Sequence, residues 1–312
     1  MTVSQTHSRK PTLGFIGVGR VARALALAAA RADYDVTAVA SRRLDAAKSL
    51  AAQLPQCEAL GIVHADDANA VFAHADLVFL TVPDDAIAAT AAHLKPGPTQ
   101  ALVHCSGASE VDLLRPAAGQ GAQIGGFHPL FLFAGLDTDA ERMSGSAITV
   151  EADAPLAQTL RTLVTAMGCH PLDIPAGQRM RYHAGANYAA SFLLCLLEEA
   201  SQLWKAIGMP EADANDAMWP LVMGTLAAAR ERGLSGALAG PVSRGDAGIV
   251  TRHTEALARM GGDHATLYSL LTLRAIRLAR RRPGTSAEDN AALDAIARAI
   301  APYVPPVSKS PE

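Results

Sequence analysis

The sequence predicts an α/β domain built on a doubly wound, mostly parallel sheet, followed by an all-α domain. Two observations carry this expectation. Through the first half, short apolar runs alternate with alanine-rich stretches of helical period, the pattern of parallel strands covered by helices on both faces. After Pro175 the strand-like runs stop and only helical periodicity remains. The chain has 312 residues, enough for two separate cores, and half of them are hydrophobic with 18% charged, a globular composition.

Strands are expected at 12–17, 35–40, 77–82, 101–104, 123–126, 147–151 and 170–174, with helices at 21–31, 45–53, 86–94 and 154–167. A long helix is expected over 180–207, stopped by Gly208 and Pro210. Another spans 211–232 and should bend near Pro220, and the glycine-rich stretch 233–248 reads as a loop. Helices follow at 250–260, 263–282 and 287–300, the last opened by Ser286 with Asp289 three residues on, close to a capping box. The expected organisation is a disordered N-terminus (1–11), a nucleotide-binding domain (12–176), a helical domain (177–301) and a disordered tail (302–312).

The string Gly17-Val18-Gly19-Arg20-Val21-Ala22 follows the first apolar strand and opens the first helix, with a second strand at 35–40. In that context a GxGxx(G/A) string reads as the dinucleotide site of a Rossmann domain. Gly17 allows the tight turn, and Gly19 lets the backbone approach a pyrophosphate without a Cβ in the way. Ala22 permits close helix–strand packing, while the amides at the start of the helix, from Arg20 and Val21 onward, supply donors. A tight turn with no ligand is the plainer alternative.

The end of the second strand bears on which dinucleotide fits. NAD sites place a carboxylate about 20 residues after the glycines to bind the ribose hydroxyl. Here Ser41, Arg42 and Arg43 stand there, with no carboxylate until Asp45. A hydroxyl and guanidinium groups suit a 2′-phosphate, so NADP(H) is the expected cofactor. Two further loops sit at carboxyl ends of strands, where open α/β sheets bind ligands: Val82-Pro83 and Ser106-Gly107 are expected to line the cofactor cleft.

Other classes fit less well. A net charge of −3 gives no basic surface for nucleic acid. Arg280, Arg281 and Arg282 form a basic run at a helix end, where cations suit the macrodipole. Cys57, Cys105, Cys169 and Cys195 are scattered without a CxxC pair, and the histidines show no ligand spacing, so no metal site and no disulfide scaffold is expected. The longest apolar stretch, 184–197, is short of a membrane span, and the first ten residues lack a signal-peptide core; a cytoplasmic protein is expected.

Taken in order, GFIGVGRVA, TVPDDAI, HCSGA and GGFHPL, then RYHAGANYAA and GPVSRGD, resemble one family of the 6-phosphogluconate dehydrogenase-like superfamily. Its members join a Rossmann-like NAD(P)-binding domain to a helical domain of unknown function. The resemblance covers residues 12–301. First-half motifs are shared with pyrroline-5-carboxylate reductases, ketopantoate reductases and β-hydroxyacid dehydrogenases, whereas Tyr182-His183-Ala184 and the segment Gly240–Asp246 are more specific. The resemblance implies NADP-dependent reduction of a small carbonyl or imine compound and a homodimer built through the helical domain. One departure is clear: the lysine that orients substrate in β-hydroxyacid dehydrogenases is absent, since no lysine lies between Lys95 and Lys205. His183 stands in a similar place, four residues before Asn187.

Hydride transfer needs a held acceptor and a proton source at the departing charge. His183, Asn187 and Ser191, at i, i+4 and i+8, fall on roughly one helical face. His183 is the candidate proton donor, Asn187 and Ser191 the candidate substrate contacts. A helix face packed on the first domain is the alternative. His128, before Pro129 at a strand's carboxyl end, is a second candidate acid. Arg244, with Asp246 beside it, is a candidate partner for a substrate carboxylate, or part of a structural network. The leading expectation is an NADP(H)-dependent oxidoreductase acting on a 2-oxo or 3-hydroxy acid type compound. An imine reductase resembling the pyrroline-5-carboxylate enzymes and a non-catalytic NADP-binding sensor are the alternatives. A short-chain dehydrogenase is disfavoured because the chain has no Tyr-x-x-x-Lys pair.

Overall fold

The computed structural model describes residues 9–306. The expected disordered ends, 1–11 and 302–312, lie mostly outside the described residues, and Ala301–Tyr303 form a short 3₁₀ turn. The chain divides after Cys195 into two compact units.

The first unit holds an eight-stranded sheet. Its strands are β1 (Leu13–Ile16), β2 (Val36–Ser41), β3 (Glu58–Gly61), β4 (Leu77–Leu80), β5 (Ala101–His104), β6 (Gln123–Pro129), β7 (Ala147–Ala152) and β8 (His170–Asp173). The spatial order is β3-β2-β1-β4-β5-β6-β7-β8. The first six are parallel in the 3-2-1-4-5-6 order of a Rossmann sheet. β7 runs antiparallel to β6, and β8 runs parallel to β7. Helices α1 (Arg20–Arg31), α2 (Leu44–Ala51), α3 (Ile87–Ala91), α4 (Arg115–Ala118), α5 (Asp139–Arg142) and α6 (Leu156–Ala166) alternate with the strands.

Period-two alternation explains why both faces need cover. Leu13 and Phe15 of β1 with Leu77 and Phe79 of β4 belong to one core cluster; Ile16 with Val78 and Leu80 belong to the other. On the first face Phe15 stacks on Phe79 at 5.0 Å between ring centroids, and Phe79 meets Phe127 edge-on at 5.2 Å. The edge strand β3 was not expected. Its sequence, EALG, is half exposed and lacks an apolar alternation, because an outer strand needs only one partner, here β2.

The expected helix over 180–207 is two helices, α7 (Arg179–Ala189) and α8 (Ser191–Ala206). Ala190, at φ −116° and ψ −81°, leaves helical geometry. The i, i+4, i+8 face expected for His183, Asn187 and Ser191 is therefore interrupted, and Ser191 opens α8 instead of continuing α7.

Beyond Cys195 the structure is helical: the rest of α8, then α9 (Glu211–Ala237), α10 (Ala247–Met260), α11 (His264–Ala279) and α12 (Ala287–Ile300). Pro220 lies inside α9, and the departure from helical backbone comes at Gly233, whose φ of 72° is open to glycine. The loop expected over 233–248 thus begins with a further helical turn. Val250, Ile276, Leu293, Ile296 and Ile300 form the core of this unit. Asp246 caps α10 by accepting the Ile249 N–H at 2.9 Å, and Ser286 and Asp289 form the full capping box at α12. Among the described residues no helix is long and apolar enough to cross a membrane.

Candidate active site

The sheet order reverses next to β1, so a crevice opens at the carboxyl ends of β1 and β4. Gly17 turns there at φ +95°, and a Cβ on it would lie 2.8 Å from the Thr81 carbonyl oxygen. Thr81 Oγ1 donates to the Gly17 carbonyl at 2.7 Å, tying the two strand ends together. Gly19 precedes α1 with no side-chain cap and no acidic residue in the first turn, and a Cβ there would meet open space. Among the described residues no side chain caps the start of α1, which leaves its first amides as donors for an anion. Ala22, fully buried, seats the helix on the sheet. These features fit a dinucleotide pyrophosphate.

A cleft of about 680 Å³ adjoins this turn, lined by Val18, Gly19 and Arg20 on one side and by Arg43, Asp45 and Ser49 on the other. Val21, inside α1, is partly buried. Ser41 is nearly buried and its Oγ accepts the Arg43 N–H at 3.1 Å, so it shapes the turn that presents Arg43. Arg42 is exposed but does not line the cleft, and the Asp45 carboxylate does. Arg20 and Arg23 are held by the loop after β6, through the Phe133 carbonyl and the Asp137 carboxylate respectively.

Val82 is half-buried and Pro83 exposed, opening a 3₁₀ turn, Asp84–Ala86. The Ser106 hydroxyl is used within the protein: it donates to Asp84 Oδ2 at 2.8 Å and accepts the Ser109 N–H at 2.9 Å. Gly107 has a different task. A Cβ on it would stand 2.7 Å from His183 Nδ1 and 2.8 Å from His128 Nε2, so its lack of a side chain lets both imidazoles close over the loop after β5.

His128 at the end of β6 and His183 on α7 thus come together, with ring centroids 6.0 Å apart. His128 Nδ1 and the Tyr182 hydroxyl share a hydrogen bond of 3.1 Å. Burial pushes His128 down to about 4, helped by His183 and by the positive charge of Arg179, against the pull of Asp84. Its imidazole is therefore neutral at pH 7. Burial also raises the Tyr182 hydroxyl. His183 Nδ1 is buried and has no hydrogen-bond partner among the described residues. Asn187 lies one turn further along α7, and His128, Tyr182, His183 and Asn187 line one pocket of about 580 Å³.

Under this pair lies a residue that sequence reasoning missed. Arg179, at the start of α7, is wholly buried. Its Nε donates to Glu151 Oε2 at 2.5 Å and its Nη1 to the Ser106 carbonyl at 2.9 Å, while Nη2 has no partner. A Cβ at Gly126 would fall 1.8 Å from Nη2, so the guanidinium occupies the space a side chain on β6 would take. His104, also fully buried and with no well-formed side-chain hydrogen bond among the described residues, is pushed to about 4 by burial and then by Arg179, against a backbone contact with Glu110. One signal was available: a cation in the first turn of a helix opposes the macrodipole and calls for a specific partner.

The structure therefore brings His128, His183 and Asn187 into one pocket and sets Gly17–Val21 with Arg43 beside another. Ser191 is outside the pocket lining. Arg244 and Asp246 belong to the second unit, where Arg244 is exposed and the Asp246 carboxylate caps α10. Among the described residues no three His, Cys, Asp or Glu side chains cluster to hold a metal ion.

Comparison with known proteins agrees with this architecture. Residues 2–129 match the family model of a Rossmann-like domain, and residues 146–275 match that of a domain of unknown function, DUF2520. Among curated proteins none matches the chain. A protein of Thermotoga maritima of known structure superposes with a TM-score of 0.71 at 23% identity, covering 87% of this chain and 100% of that one. A candidate NADP oxidoreductase from Bacteroides fragilis gives a TM-score of 0.64 at 22% identity, covering 87% and 99%. A pyrroline-5-carboxylate reductase from Coxiella burnetii gives 0.54 at 15% identity, covering 96% and 100%. At these identities the likeness is one of fold. The chain joins a Rossmann-like domain to a DUF2520 domain, the two-part organisation of the family it resembles in sequence.

Proposed function

We propose that the protein is an NADP(H)-dependent oxidoreductase that reduces a small carbonyl compound in the pocket formed by His128, Tyr182, His183 and Asn187. The observation that carries this reading is the convergence of two imidazoles over Gly107, at the carboxyl ends of β5 and β6. The same unit holds the uncapped start of α1. Gly17–Val21 would hold the pyrophosphate, and Ser41 with Arg42 and Arg43 the adenosine ribose phosphate. The fold is shared with structures described as an NADP oxidoreductase candidate and a pyrroline-5-carboxylate reductase, which supports the assignment of class.

When bound, the reduced nicotinamide supplies the hydride. The protein's part is to hold the carbonyl and deliver a proton as charge develops on its oxygen. Neutral His128, backed by Tyr182 at Nδ1, presents Nε2 on the side of Gly107 and His183. A neutral imidazole can polarise a carbonyl oxygen as a hydrogen-bond donor. His183 is assigned the proton transfer and Asn187 a second hydrogen bond to the oxygen. Val82, Pro83 and Gly107 are assigned to the cofactor side of the site. We further assign the protein to the cytoplasm and to a homodimer formed through its helices; α8 and α9 leave Phe192, Leu194, Trp219, Leu221 and Met223 exposed, large apolar side chains that such an interface would cover.

The test is a carbonyl screen with NADPH, followed by His183→Ala. That variant should bind NADPH as tightly as wild type and lose about 10²-fold or more in turnover. Undiminished turnover would remove His183 from the mechanism.

A further inference from the structure

The pocket that holds the histidines is lined by two kinds of side chain. Its polar members are His128, Tyr182, His183 and Asn187; the remainder is hydrocarbon, chiefly Leu130, Phe131 and Leu132 of the loop after β6 and the alanines of α7. Among the described residues no Lys, Arg, Asp or Glu lines it. The guanidinium beneath it belongs to Arg179, which is wholly buried, bonded to Glu151 and to the Ser106 carbonyl, and outside the lining. Leu132 stands 79% exposed at the rim, a large apolar side chain with little of its own fold to cover it.

A carboxylate entering this pocket would lose water and gain no Lys or Arg partner, the His183 imidazole being committed to the carbonyl oxygen. A hydrocarbon body, in contrast, would bury apolar surface against Leu130 and Leu132 on binding.

We infer that the substrate of this site is an uncharged ketone or aldehyde with a mainly hydrocarbon body, its oxygen at the imidazole pair and its apolar end against Leu130–Leu132. This deepens the oxidoreductase reading and rests on it. It differs from the 2-oxo or 3-hydroxy acid expected from the sequence. The reaction balances as hydride from the reduced nicotinamide to the carbonyl carbon and a proton to the oxygen, giving an alcohol and oxidised cofactor.

A matched pair of probes isolates the charge. 4-Phenylbutan-2-one and 2-oxo-4-phenylbutanoate share a skeleton and differ in whether a methyl or a carboxylate flanks the carbonyl. Their affinities for the NADPH-loaded protein are measured by ligand-observed saturation-transfer NMR, with NADPH affinity measured separately by fluorescence. The ketone is expected to bind at least tenfold more tightly than the oxo acid. Leu132→Arg should narrow or reverse that ratio by bringing a cation to the rim. Equal or tighter binding of the oxo acid to the wild type, or binding of neither probe, overturns the substrate class while leaving the cofactor reading in place. Failure of NADPH to bind in the fluorescence titration overturns the oxidoreductase reading itself.

Discussion

Replacing Arg179 with methionine tests whether the buried ion pair holds the imidazole site together. The guanidinium is fully buried and the Glu151 side chain is 14% exposed, so solvent screens the pair little. Arg179→Met strands the Glu151 carboxylate without its counter-charge and removes the donor to the Ser106 carbonyl. Breaking a buried pair from one side costs about 3–5 kcal/mol. At about 2–4 °C per kcal/mol for a domain near 200 residues, the melting temperature should fall by roughly 6–20 °C. Neutralising both partners, Arg179→Met with Glu151→Leu, should recover most of that loss, because no charge is left buried. In the double variant the positive field is gone, so His128 should titrate above its value of about 4. Melts followed by circular dichroism and NMR titration of labelled histidines read both quantities. A single variant within 2 °C of wild type, or a double variant no more stable than the single, would show that the buried pair does not hold the site together.

Three further outcomes follow from the same geometry. His104 and His128 are both held near 4 when folded and titrate near 6.5 when unfolded, so the unfolded chain binds more protons below pH 6.5. Their contribution to stability is complete above that pH and declines by about 1.4 kcal/mol per pH unit for each histidine as pH falls toward 4; urea midpoints unchanged between pH 7 and pH 5 would contradict this. Gly107→Ala should crowd both imidazoles, cost about 1–3 kcal/mol and shift the histidine NMR signals of His128 and His183, whereas unshifted signals would mean the rings do not meet at Gly107. Asp246→Ala should cost about 0.5–2 kcal/mol through the lost cap of α10, with NADPH affinity unaltered; weakened NADPH binding without loss of stability would show that the carboxylate serves a ligand.

Much of the architecture was legible in the chain because local periodicity reports local burial. The strands at 101–104 and 147–151 and the helix at 287–300 carry their own apolar pattern and caps, and the structure places them within a residue or so. β3 was not legible, since an edge strand reading EALG is defined by its pairing with β2. The break at Ala190 likewise has no local mark: neither proline nor glycine stands there. For the site, a glycine string announces a turn, and His128 and His183 were readable as candidates. Their meeting depends on a long-range coincidence, the small residue Gly107 facing two rings from β6 and α7. Arg179 and Glu151 were unreadable as a pair because they are 28 positions apart and meet only where the start of α7 reaches β7.

We assign the start of α1 to a pyrophosphate and the Ser41–Arg43 turn to selection of the phosphorylated ribose. The most direct measurement is a fluorescence titration of NADPH and NADH against the wild type and against Arg42→Ala with Arg43→Ala. The wild type is expected to prefer NADPH at least tenfold, a preference lost in the variant through weaker NADPH binding with NADH affinity nearly constant. Tighter binding of NADH by the wild type, or no measurable affinity for either dinucleotide, would contradict it.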